Sequence, residues 1–207
     1  MTDQHQEPDR LAGLTWPRET ARLLLRRATP DDVPAMWAYR RLPEVSEWLT
    51  SAPPDLDAFT AHQTPDRLAV TVVAALRDVP GEVVGDLMVR VEDAWSQAEV
   101  RDRAAGTQVE LGWAFHPAAG GRGYATEAVS DLLRMCFWDM GLRRAEAHCF
   151  AANRPSWRLM ERLGMRRETH AVKESLHRSG EWMDGLTYAL LADEWRTRDL
   201  DLDDAAG

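Results

Sequence analysis

The sequence predicts an α+β fold, and three observations carry that expectation. A strand at 107–116 runs through a glycine-rich loop into a long amphipathic helix, two pairs of strand-like runs (67–91 and 165–191) each close on a turn signal, and capped helix patterns are interspersed with them. About six to seven strands are expected. A chain of 207 residues with 44% hydrophobic content and nine Trp can bury one sizeable core. A single domain over 1–207 is therefore expected, with flexible tails at about 1–18 and 196–207.

In chain order, Ala21–Arg27 (ARLLLRR) reads as the first strand. Thr29-Pro30-Asp31-Asp32 follows as an N-cap with acids in the first turn, opening a helix from about Asp31 to Arg41. A short helix around Glu44–Leu49 and another near Asp55–Gln63 are separated by Pro53-Pro54. Arg67–Arg77 and Glu82–Val91 are strand-like around the turn Asp78-Val79-Pro80-Gly81, which makes a hairpin. Glu92–Gly106 is polar and irregular, a surface loop by composition. From Ala125, the apolar residues Ala128, Val129, Leu132, Leu133, Cys136, Phe137 and Met140 form one helical stripe, and Gly141 ends it. Arg144–Ala151 is the next strand. Asn153 caps a helix with Pro155 in its first turn and Gly164 at its end. Met165–Ser175 and Glu181–Leu191 read as two strands joined around Ser179-Gly180, and Asp193–Gly207, rich in acids, is expected to fray.

The loop is suited to a pyrophosphate. The first turn of a helix leaves N–H groups without intrahelical partners, and the aligned peptide dipoles add positive charge there. Gly120, Gly121 and Gly123 let the chain turn tightly and bring its own N–H groups close to an anion. No GxxxxGK[ST] is present, and a dinucleotide fingerprint would need glycine where Thr126 stands.

Gly120-Gly121-Arg122-Gly123-Tyr124-Ala125-Thr126-Glu127-Ala128, preceded by Glu110-Leu111-Gly112-Trp113 and Pro117, resembles the acetyl-CoA loop of the GNAT N-acetyltransferases, in particular the branch of the ribosomal-protein N-terminal acetyltransferases RimJ and RimL. Gly120 stands where that family commonly has Arg or Gln. Asn153-Arg154-Pro155-Ser156, leading into a helix that ends Glu161-Arg162-Leu163-Gly164-Met165, resembles the family's second motif at the required spacing. The resemblance covers roughly residues 20 to 195. It implies a mixed, mostly antiparallel sheet with helices on both faces, and splayed strands forming an acetyl-CoA cleft. Acetyl-CoA as acyl donor is the implied cosubstrate, held by Ala114, Phe115, His116, Gly120, Gly121, Arg122, Gly123, Tyr124, Ala125, Thr126, Asn153 and Ser156.

The implied reaction is transfer of acetyl to a primary amine by direct attack, the acceptor being a protein N-terminal amine or a small-molecule amine. On the strand 108–116, Glu110 shares a face with Gly112, Ala114 and His116, so its carboxylate stands where bulk is low. It is a candidate catalytic base or substrate-orienting group, against the plainer reading of a solvated or salt-bridged glutamate. Many relatives place a Tyr as the acid for the departing thiolate; that position is Met160 here. The RimL-like branch uses a Ser near the helix start, and Ser156 falls there, although its hydroxyl could equally satisfy helix N–H groups. The alternative function is a non-catalytic CoA-binding sensor or assembly module on the same fold.

The remaining composition sets limits. Two isolated cysteines, Cys136 and Cys149, and irregularly spaced histidines give no metal site, and the absence of a disulfide framework fits a reducing compartment. No membrane-length apolar run and no secretory leader is present, so a cytoplasmic protein is expected. A net charge of −9 argues against nucleic acid and for a cationic amine acceptor. A homodimer is a further expected partner state; a membrane is not.

Overall fold

Among residues 9–79 and 81–197, which the computed structural model describes, eight strands hydrogen-bond into one mixed sheet. In chain order the elements are β1 (Arg18–Glu19), β2 (Leu23–Arg27), α1 (Val33–Arg40), α2 (Pro43–Ser46), α3 (Leu56–His62), α4 (Pro65–Ala69), β3 (Thr71–Leu76), β4 (Val83–Glu92), α5 (Arg101–Ala104), β5 (Gln108–Phe115), α6 (Tyr124–Arg134), β6 (Arg144–Phe150), α7 (Arg154–Arg162), β7 (Arg166–Leu176) and β8 (Trp182–Leu191). The sheet order is β1-β2-β3-β4-β5-β6-β8-β7. Neighbours are antiparallel except β5 and β6, which run parallel.

Alternation along the strands feeds a core on each face. Val109 and Leu111 of β5 join Ala128, Val129, Leu132 and Leu133 of α6 and Leu159 and Met160 of α7 on one side. Ala114 joins Val33, Met36 and Tyr39 of α1 and Phe59 of α3 on the other. The two-sided layering and mixed sheet match what the sequence implied. The strand count is one higher because two-residue β1 has no period to read.

Four local expectations change. Residues 67–69 are helical, not strand, because the Thr64 side chain accepts from Arg67 N and Pro65 opens a turn. The 92–106 loop contains a 3₁₀ turn, Ala98–Val100, and α5. The helix after the glycine loop is α-helical only to Arg134 and continues as a π-turn, Met135–Asp139, before Gly141 at φ +67°. Described residues inside the stretches expected to be tail or to fray are packed: Leu11 is buried and Trp16 packs on the core, while 192–197 is helical with Trp195 packed near Phe137, ring centroids 6.3 Å apart. The expectations for 1–8 and 198–207 lie outside the described residues.

Candidate active site

The parallel pair β5–β6 is short. Its register covers only Gln108↔Arg144, Val109↔Ala145 and Glu110↔Glu146. Beyond that β5 stays with β4, and β6 stays with β8 as far as Phe150, so a gap opens between them. Which peptide groups line it follows from the ladders. His116 N donates to Val84 O at 2.8 Å, so the even residues of β5 turn their N–H and C=O toward β4, and Leu111, Trp113 and Phe115 turn theirs into the gap. Ala151 N donates to Asp184 O at 2.8 Å, which likewise turns the peptide groups of His148 and Phe150 toward β5. Of three strand-end residues expected at the acyl donor, Phe115 alone presents its backbone there. Ala114 is buried on the α1 side, and the His116 Nδ1 accepts from Ala118 N at 3.0 Å.

At the end of β5 the chain makes a 3₁₀ turn, Pro117–Ala119, and enters the glycine loop. A Cβ on Gly120 would lie 2.9 Å from Pro117 O, so this loop excludes a larger residue where the family commonly has Arg or Gln. Gly123, the N-cap of α6, has φ +79°, a conformation that costs a branched residue heavily. The first intrahelical bond is Glu127 N to Gly123 O, 3.0 Å. The amides of Gly121, Arg122, Gly123, Tyr124, Ala125 and Thr126 donate to no other group among the described residues. Six consecutive free donors at a helix N-terminus beside an open strand edge are suited to an anion with several oxygens.

On the far side of the gap, Asn153 caps α7 with Oδ1 accepting from Ser156 N at 3.3 Å. Such a cap contributes about 1 kcal/mol to helix stability. Ser156 is half-buried in the first turn of α7. Burial pushes the Cys149 thiol of β6 up to about 11, with the Ser156 side chain acting the other way, so at neutral pH it stays protonated and is a packing group. Cys136 is pushed up to about 12 by burial. Met160 is 1% exposed within the core, so the usual Tyr position offers no donor to the gap.

Glu110 lies at the closed end of the gap, on the face opposite α6. Its carboxylate is ion-paired with Arg90 of β4, which also binds Glu92 at 2.9 Å. Across the parallel register, Glu146 is held by Arg144 at 2.6 Å, and Arg144 binds Glu168 at 2.5 Å. His148, next along β6, bonds Thr187 Oγ1 through Nδ1 at 3.0 Å. Trp48 and Phe150 close this side near the gap mouth, ring centroids 6.3 Å apart, and His177 meets Phe150 edge-on at 5.4 Å. Glu174 and His170 belong to the edge strand β7, with β8 between them and β6, and His170 pairs with Asp184 at 2.7 Å. Among the described residues no cluster of His, Cys, Asp and Glu could hold a metal, and no helix is long and apolar enough to cross a membrane.

The family model for the acetyltransferase (GNAT) domain matches residues 22–166. The chain belongs to the GNAT acetyltransferase family. It is similar to the uncharacterized N-acetyltransferase YnaD of Bacillus subtilis, 42% identical over 86 residues, which is 42% of this chain and 50% of that protein, so the match spans about half the length of that curated relative. It is also similar to a GNAT-family acetyltransferase structure from Bacillus anthracis, 29% identical with TM-score 0.70, covering 85% of this chain and 98% of that one. A GCN5-related N-acetyltransferase from Brucella melitensis, 21% identical with TM-score 0.70 over 86% and 79% of the two chains, shares the fold.

Several residues that shape this site carried no signal in the sequence. Asp86 of β4 is 3% exposed and receives Tyr39 Oη at 2.6 Å and Arg40 Nε and Nη2 at 2.9 Å each, which fastens α1 to the sheet face opposite α6. Burial raises the Tyr39 phenol well above its ordinary value, and the Asp86 charge adds to this, so it remains a donor. Arg90, partner of Glu110, is 20 residues away from it in sequence. Pairings of this kind join charged residues from separate strands, and no local pattern marks them.

Proposed function

We propose that the chain is an acetyl-CoA-dependent N-acetyltransferase of the RimJ/RimL-like branch, acting on a primary amine that is a protein N-terminal amine or a small-molecule amine. The observation that carries this is the run of six unpartnered amides, 121–126, at the open end of the β5–β6 gap. They are suited to holding a pyrophosphate, with the side of Tyr124 and the Arg122 backbone completing the loop. The peptide groups of Leu111, Trp113 and Phe115 on one rim, and Asn153 on the other, offer hydrogen bonds to an amide-bearing arm laid into the gap. Bound acetyl-CoA supplies a thioester whose acetyl group an amine takes by direct attack.

The remaining chemistry belongs to side chains. Ser156 Oγ, in the first turn of α7 on the far side of the gap, is suited to give a proton to a departing thiolate. Glu110, ion-paired with Arg90 at the closed end of the gap, suits holding and orienting an ammonium. A cationic acceptor approaching from the face opposite α6, the cytoplasm as the compartment, and a homodimer as the assembly remain parts of this proposal.

The test is a screen of amines and N-terminal peptides with acetyl-CoA, following release of free CoA thiol. Ser156→Ala is expected to lower kcat about tenfold or more with acetyl-CoA KM unchanged, the mark of a contact that matters as charge develops on sulfur. Unchanged turnover would remove Ser156 from the mechanism. Tight CoA binding with no thiol release from any amine would overturn the acetyl-transfer proposal in favour of a binding module.

A further inference from the structure

The helix end expected to receive a diphosphate already carries a negative charge. Glu127 stands in the first turn of α6, directly after the six free amides. A carboxylate there suits the helix dipole, but it lies where it would repel an incoming phosphate. Burial alone would raise its acid, yet hydrogen bonds from Thr20 and from the Arg22 backbone and side chain outweigh this and hold it below the ordinary carboxylate range. It is therefore ionised at neutral pH.

Arg22, at the entry to β2, meets that charge directly. Its Nε lies 2.7 Å and its Nη2 2.6 Å from Glu127 Oε2, and its backbone N donates to Oε1 at 2.7 Å. The same guanidinium reaches the loop: Nη1 donates to Arg122 O at 2.6 Å, and the group stacks over the Tyr124 ring at 4.7 Å. Nη2 would lie 3.3 Å from a Cβ on Gly123. One side chain thus touches the carboxylate, 105 positions away in sequence, and two residues of the loop, Arg122 and Tyr124.

We propose that Arg22 is a positioning residue for the diphosphate site, cancelling the Glu127 charge at the α6 N-terminus so that the loop amides can accept an anion. This rests on the cofactor reading above. The guanidinium acts through Glu127 and the loop, and the acetyl-transfer chemistry takes place elsewhere, so its signature is in acetyl-CoA affinity.

Calorimetric binding of acetyl-CoA and steady-state kinetics would test it on wild type, Arg22→Ala, Arg22→Lys, Glu127→Gln and the double variant Arg22→Ala/Glu127→Gln, with thermal melts as the fold control. Arg22→Ala should raise acetyl-CoA Kd and KM about tenfold, a size within reach of a helix-end charge, with kcat within about twofold. Removing the carboxylate in that background should recover affinity to within about threefold of wild type, and Arg22→Lys should keep most of it. Wild-type affinity in Arg22→Ala would overturn the inference, as would a double variant no better than the single. Should Arg22→Ala fail to fold, Glu127→Gln alone decides, since weaker acetyl-CoA binding in that variant would contradict a carboxylate that opposes the ligand. A wild type that binds no acetyl-CoA would instead sink the cofactor reading; binding by wild type and Arg22→Ala alike sinks only the role of Arg22.

Discussion

On the α6 side of the β5–β6 gap, the groups free to meet a ligand are peptide N–H groups, six of them in succession from Gly121 to Thr126. On the opposite side they are side chains: Glu110, His148, Phe150 and Trp48, each held by partners from other strands or helices. The first surface is made by local chain geometry and, in the function proposed above, meets the part that every acyl-CoA shares. The second is assembled over long sequence separations, and every charged group on it is tied to another. Such a surface can change its acceptor by exchanging side chains while the backbone surface stays as it is.

The largest expected effect tests whether the acceptor side is separately supported. Asp86→Ala would leave Arg40 and the Tyr39 hydroxyl without their partner beneath α1, a loss of about 3–5 kcal/mol for a buried pair broken on one side. Urea unfolding gives the number. In the fraction that stays folded, acetyl-CoA affinity should be near that of wild type, because among the described residues Asp86 bonds through its side chain to Tyr39 and Arg40 and to none of residues 120–126. A parallel collapse of acetyl-CoA binding would show that the two sides are one unit.

The next effect falls on the backbone surface. Gly123→Val would require a branched residue at φ +79° and set its side chain against Arg22. Acetyl-CoA affinity should fall about a hundredfold, equivalent to about 2.7 kcal/mol of strain and lost approach. Calorimetry on protein shown to be folded by circular dichroism is the check, and an unchanged Kd would remove the loop from the site.

How much of this could be read from sequence follows the same division. The β5–loop–α6 unit and the Asn153 cap were legible because caps, positive-φ glycines and apolar periods act within a few residues, and Gly164 does adopt φ +79°. Residues 67–69 misled because their apolar run fits a strand as well as a helix, and only the Thr64 cap with Pro65 decides. The burial of Leu11 and the hold of Arg18 on Asp131, 2.6 Å apart, depend on where α6 lies in space. Arg90 beside Glu110, and Arg22 beside Glu127, are likewise consequences of strand and helix placement. A residue type at a spacing could suggest Glu110 as a functional group; its ion pair needed the register Arg90↔Glu110.

That ion pair sets the smallest and most specific expectation. If Glu110, paired with Arg90, orients an acceptor ammonium, Glu110→Gln should raise the acceptor KM about three- to tenfold, leave acetyl-CoA KM alone and change kcat little. The modest size follows from the half-exposed setting, where solvent and Arg90 already screen the carboxylate. A loss confined to kcat, across the pH range in which the amine ionises, would instead assign proton removal to Glu110. Arg90→Gln sharpens the distinction: freeing the carboxylate should tighten binding of a cationic acceptor, whereas a base that needs no guanidinium beside it should show the gain in kcat. Steady-state kinetics of both variants with the best amine from the screen, over a series of pH values, separate the two roles, and wild-type constants in both would leave Glu110 as a strand-to-strand ion pair with no part in acceptor recognition.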